Sequence, residues 1–189
     1  MDNIKAETDE NLVVRIAQGD KKAFDEIYAR YNKPLFSFYM KMLSRDREKC
    51  EDFLQDLFMI LIEKPHYFDS TRRFKPWLYS IAHNMIKNEY KKLEVRKVMD
   101  KNAETEFVKS NLSSPENLTQ DALFSNKLDL LLAKIDPEVK EAFLLKYKVG
   151  FQIDEIAKMM NVKEGTIKSR LFYVKKYLSQ NLAEFKPNA

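Results

Sequence analysis

Apolar positions recur every three or four residues over long stretches of the chain, the spacing that lines one face of an α-helix. Four helical blocks precede a break. Residues 11–18 are short and amphipathic, and Gly19-Asp20 closes them as a stop followed by a new N-cap. Residues 20–42 carry Phe24, Ile27, Tyr28, Tyr31, Leu35 and Phe38 at helical intervals. Pro34 is expected to kink or split that block, because proline removes a backbone donor and clashes with the preceding turn. A third block spans residues 48–64 and stops before Pro65. The fourth starts at Pro76, suited to a first helical turn, and runs to about Lys97.

From Asp100 to Thr119 the pattern decays into a polar stretch containing Pro115, which reads as a linker. Helical spacing then resumes at Leu123–Ile135, Pro137–Val149, Ile153–Met160 and Thr166 to about Ala183. The expectation is an all-α chain of two small helical domains, residues 1–98 and 121–189, joined by a flexible linker over 99–120.

Composition narrows this reading. With 3 Gly and 6 Pro in 189 residues, the chain lacks the turn chemistry of repeated hairpins. A hydrophobic share of 44% beside 33% charged residues belongs to a globular chain rather than a disordered one. The net charge of +4 says little, but its distribution says more. Residues 72–97 hold eight Lys or Arg against Glu89 and Glu94, whereas residues 45–63 are rich in acids. Two partners of opposite sign are implied, one of them a candidate nucleic acid. Cys50 is the single cysteine, which rules out an intrachain disulfide and a Cys-rich zinc site. The start, Met1-Asp2-Asn3-Ile4-Lys5, is polar, and no run reaches membrane-spanning length. A cytoplasmic chain with no membrane insertion is expected.

Residues 152–171 have the layout of a helix-turn-helix. Ala157 is small where two helices must cross, and Asn161 sits where the turn needs positive φ. Stepping about 100° per residue along the second helix puts Ile167, Leu171, Val174 and Leu178 on one buried stripe. Ser169, Phe172, Tyr173 and Lys176 fall opposite, with Lys168, Arg170 and Lys175 on the flanks and Thr166 at the start. Polar groups toward base edges and cations toward phosphates make a recognition helix. A lone cationic helix is more often a solvated face; the turn and the small residue at the crossing favour duplex DNA.

The fourth block splits into a buried stripe of Leu78, Ile81, Ala82, Met85 and Leu93 and an opposite cluster of Trp77, Ser80, Asn84, Lys87 and Lys91. An aromatic to stack a base, an amide for its edge and cations for the backbone suit single-stranded nucleic acid. From these residues alone, Trp77 as a core residue and Asn84 as a merely solvated one stand level with that reading. In the third block, Phe53, Leu54, Leu57, Phe58, Ile60, Leu61 and Ile62 leave only a narrow polar wedge of Asp52, Gln55, Asp56, Met59 and Glu63. Such a helix is either central to its bundle or shared with a partner.

The ordered set of motifs resembles the extracytoplasmic-function (ECF) sigma factors, the minimal members of the sigma-70 superfamily. The matching pieces are residues 19–24, 51–58, 74–84, 155–157 and 165–171, in family order and spacing. The resemblance implies a chain that directs core RNA polymerase to specific promoters and initiates transcription, with no catalysis of its own and no cofactor. It implies that Asp52, Gln55, Asp56 and Met59 meet the clamp helices of the polymerase's largest subunit. The loop from Phe68 to Phe74, with Arg72 and Arg73, and the helix from Trp77 through Ser80, Ile81, Asn84, Lys87 and Lys91 would melt and read the minus-ten element. Phe68, Ile81 and Asn84 match positions of a pocket for a flipped base. The C-terminal domain would read the minus-thirty-five element through Thr166, Lys168, Ser169, Arg170, Phe172, Tyr173, Lys175 and Lys176, near the polymerase flap. An anti-sigma factor is a further implied partner.

Ser80, His83, Asn161, Lys163 and Tyr173 depart from what relatives often carry, which bears on the promoter sequence rather than the fold. Neither His66 nor His83 has a metal-ligand or triad arrangement around it, and no phosphate-cradling glycine loop exists. No metal or catalytic residue is assigned. The rival reading is a stand-alone regulator with the same helix-turn-helix, whose N-terminal domain would dimerise or sense a ligand.

Overall fold

In a computed structural model, residues 4–99 and 120–185 are described, and they form helices joined by short loops, without a strand among them. The chain separates into two compact units, Met1–Glu104 and Thr105–Ala189. The expected linker lies, for residues 100–119, outside the described residues.

The first unit holds α1 (Asp9–Ala17), α2 (Lys21–Met42), α3 (Arg47–Glu63) and α4 (Phe74–Met99). Thr8 caps α1, accepting from the Asn11 N–H, and Asp20 caps α2 through the N–H groups of Lys22 and Ala23. Gly19 reverses the chain between them at φ +85°, a conformation glycine takes without steric cost. Pro34 does not split α2. Tyr31, Leu35 and Phe38 on either side of it are buried while Pro34 is exposed. Their packing outweighs the roughly 3 kcal/mol that an internal proline costs.

The core joins Leu12 and Val13 of α1, Ile27, Leu35 and Phe38 of α2, Leu57 and Leu61 of α3, and Leu78 and Tyr79 of α4. The buried stripe of α4 differs from the expected one. Tyr79, His83, Ile86 and Glu89 are buried beside Leu78 and Ala82, whereas Ile81, Met85 and Leu93 are only half-buried. Glu89 turns inward because Lys49 of α3 pairs with its carboxylate at 2.5 Å, and Tyr79 because its ring meets Phe38 edge-on at 5.5 Å. A buried carboxylate is tolerated when a cation compensates it. Cys50 is fully buried in α3, and burial pushes its thiol up to about 12, so it is an inert packed group.

The second unit holds α5 (Gln120–Ala133), α6 (Pro137–Leu144), α7 (Ile153–Met160) and α8 (Glu164–Asn181). Asp136 caps α6, and Pro137 occupies its first turn. The end of α6 widens into a π turn over Leu145–Val149, and Gly150 at φ +90° closes it by donating to the Leu145 carbonyl at 3.1 Å. Gln152 starts α7, its N–H donating to Glu155 Oε2 at 2.8 Å.

Candidate nucleic-acid interface

In the first unit the candidate interface residues gather around the start of α4. The helix begins at Phe74, two residues before Pro76, because the Phe74 N–H donates to Glu10 Oε1 of α1 at 2.8 Å. A carboxylate borrowed from another helix thus satisfies one of the orphan donors at this terminus. The Phe74 ring is buried, edge-on to Tyr31 at 5.5 Å and to Phe68 at 5.4 Å. Trp77 completes the cluster at 5.2 Å from Phe68 and 5.7 Å from Phe74. Trp77 is half-buried: part of the indole is anchored on this cluster and part remains open.

Phe68, expected to meet a base, is only 7% exposed. It is a wall behind Trp77 rather than an open surface, because the other two rings shelter it from water. Ser80 is half-buried, and its hydroxyl donates to the Trp77 carbonyl at 2.6 Å, which leaves it acceptor capacity only. Ile81 is half-buried, while Asn84, Lys87 and Lys91 follow as exposed residues along the same helix. Arg72 and Arg73 are exposed in the preceding loop, with Arg72 3.3 Å from Asp69. The side chain and N–H of Thr71 hydrogen-bond Asp69 and hold its carboxyl below the usual range, which fixes the turn. Tyr67, 62% exposed with Lys64 Nζ 5.7 Å from its ring centroid, also lies beside this loop; no periodicity singles it out.

The breadth of apolar residues in α3 has both explanations at once. Leu54, Leu57, Phe58 and Leu61 pack inward, while Asp52, Gln55, Asp56, Met59 and Glu63 share one exposed stripe. Met59 is 43% exposed and Ile62 47%, so the wedge is acidic with an apolar edge. Ile62, one of the apolar residues that widen this helix beyond a single stripe, lies on the exposed side.

In the second unit, α7 ends at Asn161 in the left-handed conformation (φ 53°), and the Val162 N–H donates to the Ala157 carbonyl at 3.0 Å. Ala157 is buried where α7 meets α8. Ile167, Leu171, Val174 and Leu178 form the buried stripe of α8, as their spacing predicts. Thr166, Lys168, Ser169, Phe172, Tyr173, Lys175 and Lys176 are exposed. Lys168 lies 3.7 Å from Glu164, and Lys175 Nζ sits 5.3 Å from the Tyr147 ring centroid.

Arg170 departs from expectation. Its side chain is 15% exposed, and the guanidinium donates to Glu138 of α6 and lies 3.9 Å from the Met160 sulfur. It braces α8 against α6 and α7 instead of reaching outward, because a carboxylate thirty-two residues earlier claims it.

Two sequence families match these two units in order: sigma-70 region 2 over residues 27–96 and sigma-70 region 4 over residues 125–178. An ECF RNA polymerase sigma-E factor of Haemophilus influenzae is 28% identical, over 93% of this chain and 95% of its own length. The ECF RNA polymerase sigma factor SigW of Bacillus subtilis is 26% identical, over 91% and 95%. The chain belongs to the ECF sigma factors. As an ECF sigma factor it directs RNA polymerase in transcription initiation. The ECF fold also recurs in solved structures. CnrH, solved with the cytosolic domain of CnrY, superposes with a TM-score of 0.69 at 20% identity, over 95% of this chain and all of that one. The sigma factor RpoE, solved with the anti-sigma factor NepR from Bartonella quintana, superposes with a TM-score of 0.67 at 23% identity, over 87% of this chain and 99% of that one. Among the described residues no cluster of ligating side chains suits a metal ion, and no helix is long and apolar enough to cross a membrane.

Proposed function

We propose that this ECF sigma factor divides its work among three exposed helical faces, in the domains 1–98 and 121–189 with 99–120 as the linker. The acidic-apolar stripe of α3 (Asp52, Gln55, Asp56 and Met59, with Ile62 at its edge) docks on the clamp helices of the polymerase's largest subunit. The face of α4 receives the single-stranded minus-ten element. Trp77 stacks a base, Asn84 bonds a base edge, Ile81 and Phe68 wall the pocket, and Arg72, Arg73, Lys87 and Lys91 hold phosphates. Ser80 contributes an acceptor. Stacking is worth about 1–3 kcal/mol per base, enough to hold a strand once it is displaced.

The α8 face enters the major groove of the minus-thirty-five duplex near the polymerase flap. Thr166, Ser169, Phe172 and Tyr173 lie toward base edges, and Lys168, Lys175 and Lys176 toward phosphates. Arg170 braces the helix from within. The observation carrying this reading is the separation of charge: exposed acids on α3, exposed cations on α4 and α8. The nucleotidyl transfer belongs to the polymerase, and the sigma factor works in the cytoplasm. An anti-sigma factor would clamp the two domains and hide both polymerase-binding faces, a partner supported by the complex known for a fold relative.

The test is co-assembly. The chain should co-migrate with core polymerase in gel filtration, and the assembled enzyme should bind a fork-junction DNA that neither component binds tightly alone. Tight, specific duplex binding by the chain alone with no polymerase association would overturn the assignment. Failure to recover any inhibitory complex from its native extract would count against the anti-sigma partner.

A further inference from the structure

Residues 121–189 contain one arginine, Arg170, and Glu138 holds it inward. Arginine and lysine are the usual readers of guanine in a major groove, so α8 presents its groove face with Lys176 as the one cation among Ser169, Phe172 and Tyr173 and without an arginine. Aromatic surface takes its place: Phe172 is 69% exposed and Tyr173 58%. Tyr173 is also held in position. Its ring lies nearly parallel to that of Tyr177 one turn later, 6.4 Å between centroids with 6° between planes. Tyr177 itself is half-buried, so this support is anchored in the unit. On the same face the Ser169 hydroxyl donates to the Gly165 carbonyl at 3.0 Å and is left with acceptor capacity only.

We propose that Tyr173 reads a base in the upstream promoter duplex and selects thymine there through its 5-methyl group. The inference rests on α8 being the helix that docks in that duplex. Thymine alone among the four bases projects a methyl group into the major groove, and an aromatic edge covers it without leaving a polar group unpaired. Guanine at the same position presents two acceptors, N7 and O6, and the single Tyr173 hydroxyl can satisfy at most one of them, so the other is stripped of water and left unbonded. Pre-stacking on Tyr177 lowers the conformational entropy lost when Tyr173 is fixed against the base. Lys168, Lys175 and Lys176 place the helix on the phosphates but discriminate little among sequences.

The test uses the sigma factor assembled with core polymerase, selecting from duplex promoters randomised over the upstream element, with a pre-opened bubble downstream. The expected result is one upstream position where the wild type enriches thymine, Tyr173→Ala loses the preference, and Tyr173→Arg moves it toward guanine. Replacing that thymine by uracil, which removes only the methyl, should then lower wild-type run-off about fourfold, the worth of one buried methyl group. The same replacement should leave Tyr173→Ala unchanged. Enrichment of an upstream element that Tyr173→Ala does not alter overturns the inference, as does a preference at that position for guanine or one indifferent to uracil. In those cases the docking of α8 still stands. If the wild type enriches no upstream sequence at all, the docking itself falls, and this inference with it.

Discussion

The guanidinium of Arg170 in α8 is bound to the carboxylate of Glu138 in α6, and this pair ties α8 to the rest of its unit. The two partners are unequal: Arg170 is 15% exposed and Glu138 59%. An exposed carboxylate contributes at most about 1 kcal/mol through such a pair, whereas the arginine also buries its aliphatic stem. Arg170→Ala is therefore expected to destabilise the unit more than Glu138→Ala in thermal melts. In DNA titrations at varied salt, Arg170→Ala should leave the salt slope unchanged, while Lys176→Ala lowers it by roughly 0.9, one released counterion.

Glu10 reaches across from α1 to cap the first turn of α4, and the cap sets where the aromatic cluster forms. Glu10→Ala is expected to cost about 1–2 kcal/mol of stability. Trp77 is the single tryptophan, so its fluorescence reports the cluster directly. The variant should show a red-shifted emission together with a lower melting temperature. An unchanged spectrum would mean that Trp77 is positioned without the cap.

These two contacts mark the boundary of what the chain discloses by itself. The stripe Ile167, Leu171, Val174 and Leu178 is a local periodicity, and Asn161 a local turn requirement, so both are legible. The inward turn of Arg170 and the early start of α4 depend on acids 32 and 64 residues away, which no window of sequence contains. The face of α4 is misread for the same reason. Its helix mixes apolar and polar residues without a clear stripe, and Lys49 and Phe38 on other helices decide that Glu89 and Tyr79 go inside. Pro34 is a local signal that tertiary packing overrides. The exposed cluster of Asn84, Lys87 and Lys91 and the wedge of α3 keep the faces that periodicity predicts.

Asn84 is exposed and contributes nothing to the core, so Asn84→Ala should fold normally. Losing one base-edge contact costs about 1–3 kcal/mol, visible as roughly a tenfold slowing of promoter opening. Permanganate reactivity of unpaired thymines measures opening, and gel filtration measures assembly. Equal loss in both assays would remove Asn84 from the minus-ten face.

Asp56 lies in the exposed wedge of α3, where a charge reversal meets water rather than core. Asp56→Arg is expected to weaken association with core polymerase at least tenfold while the melting temperature shifts little, as is usual for surface substitutions. Normal polymerase binding by this variant would displace the docking surface from α3.

The most direct measurement is run-off transcription by core RNA polymerase over a library of promoter-like duplexes, with and without the chain. The sigma role predicts initiation that depends on the chain and is confined to a subset of the library. That subset should share an upstream duplex element for α8 and a downstream melted element for α4. Absence of chain-dependent initiation from every duplex, with polymerase active on a control sigma factor, would contradict it.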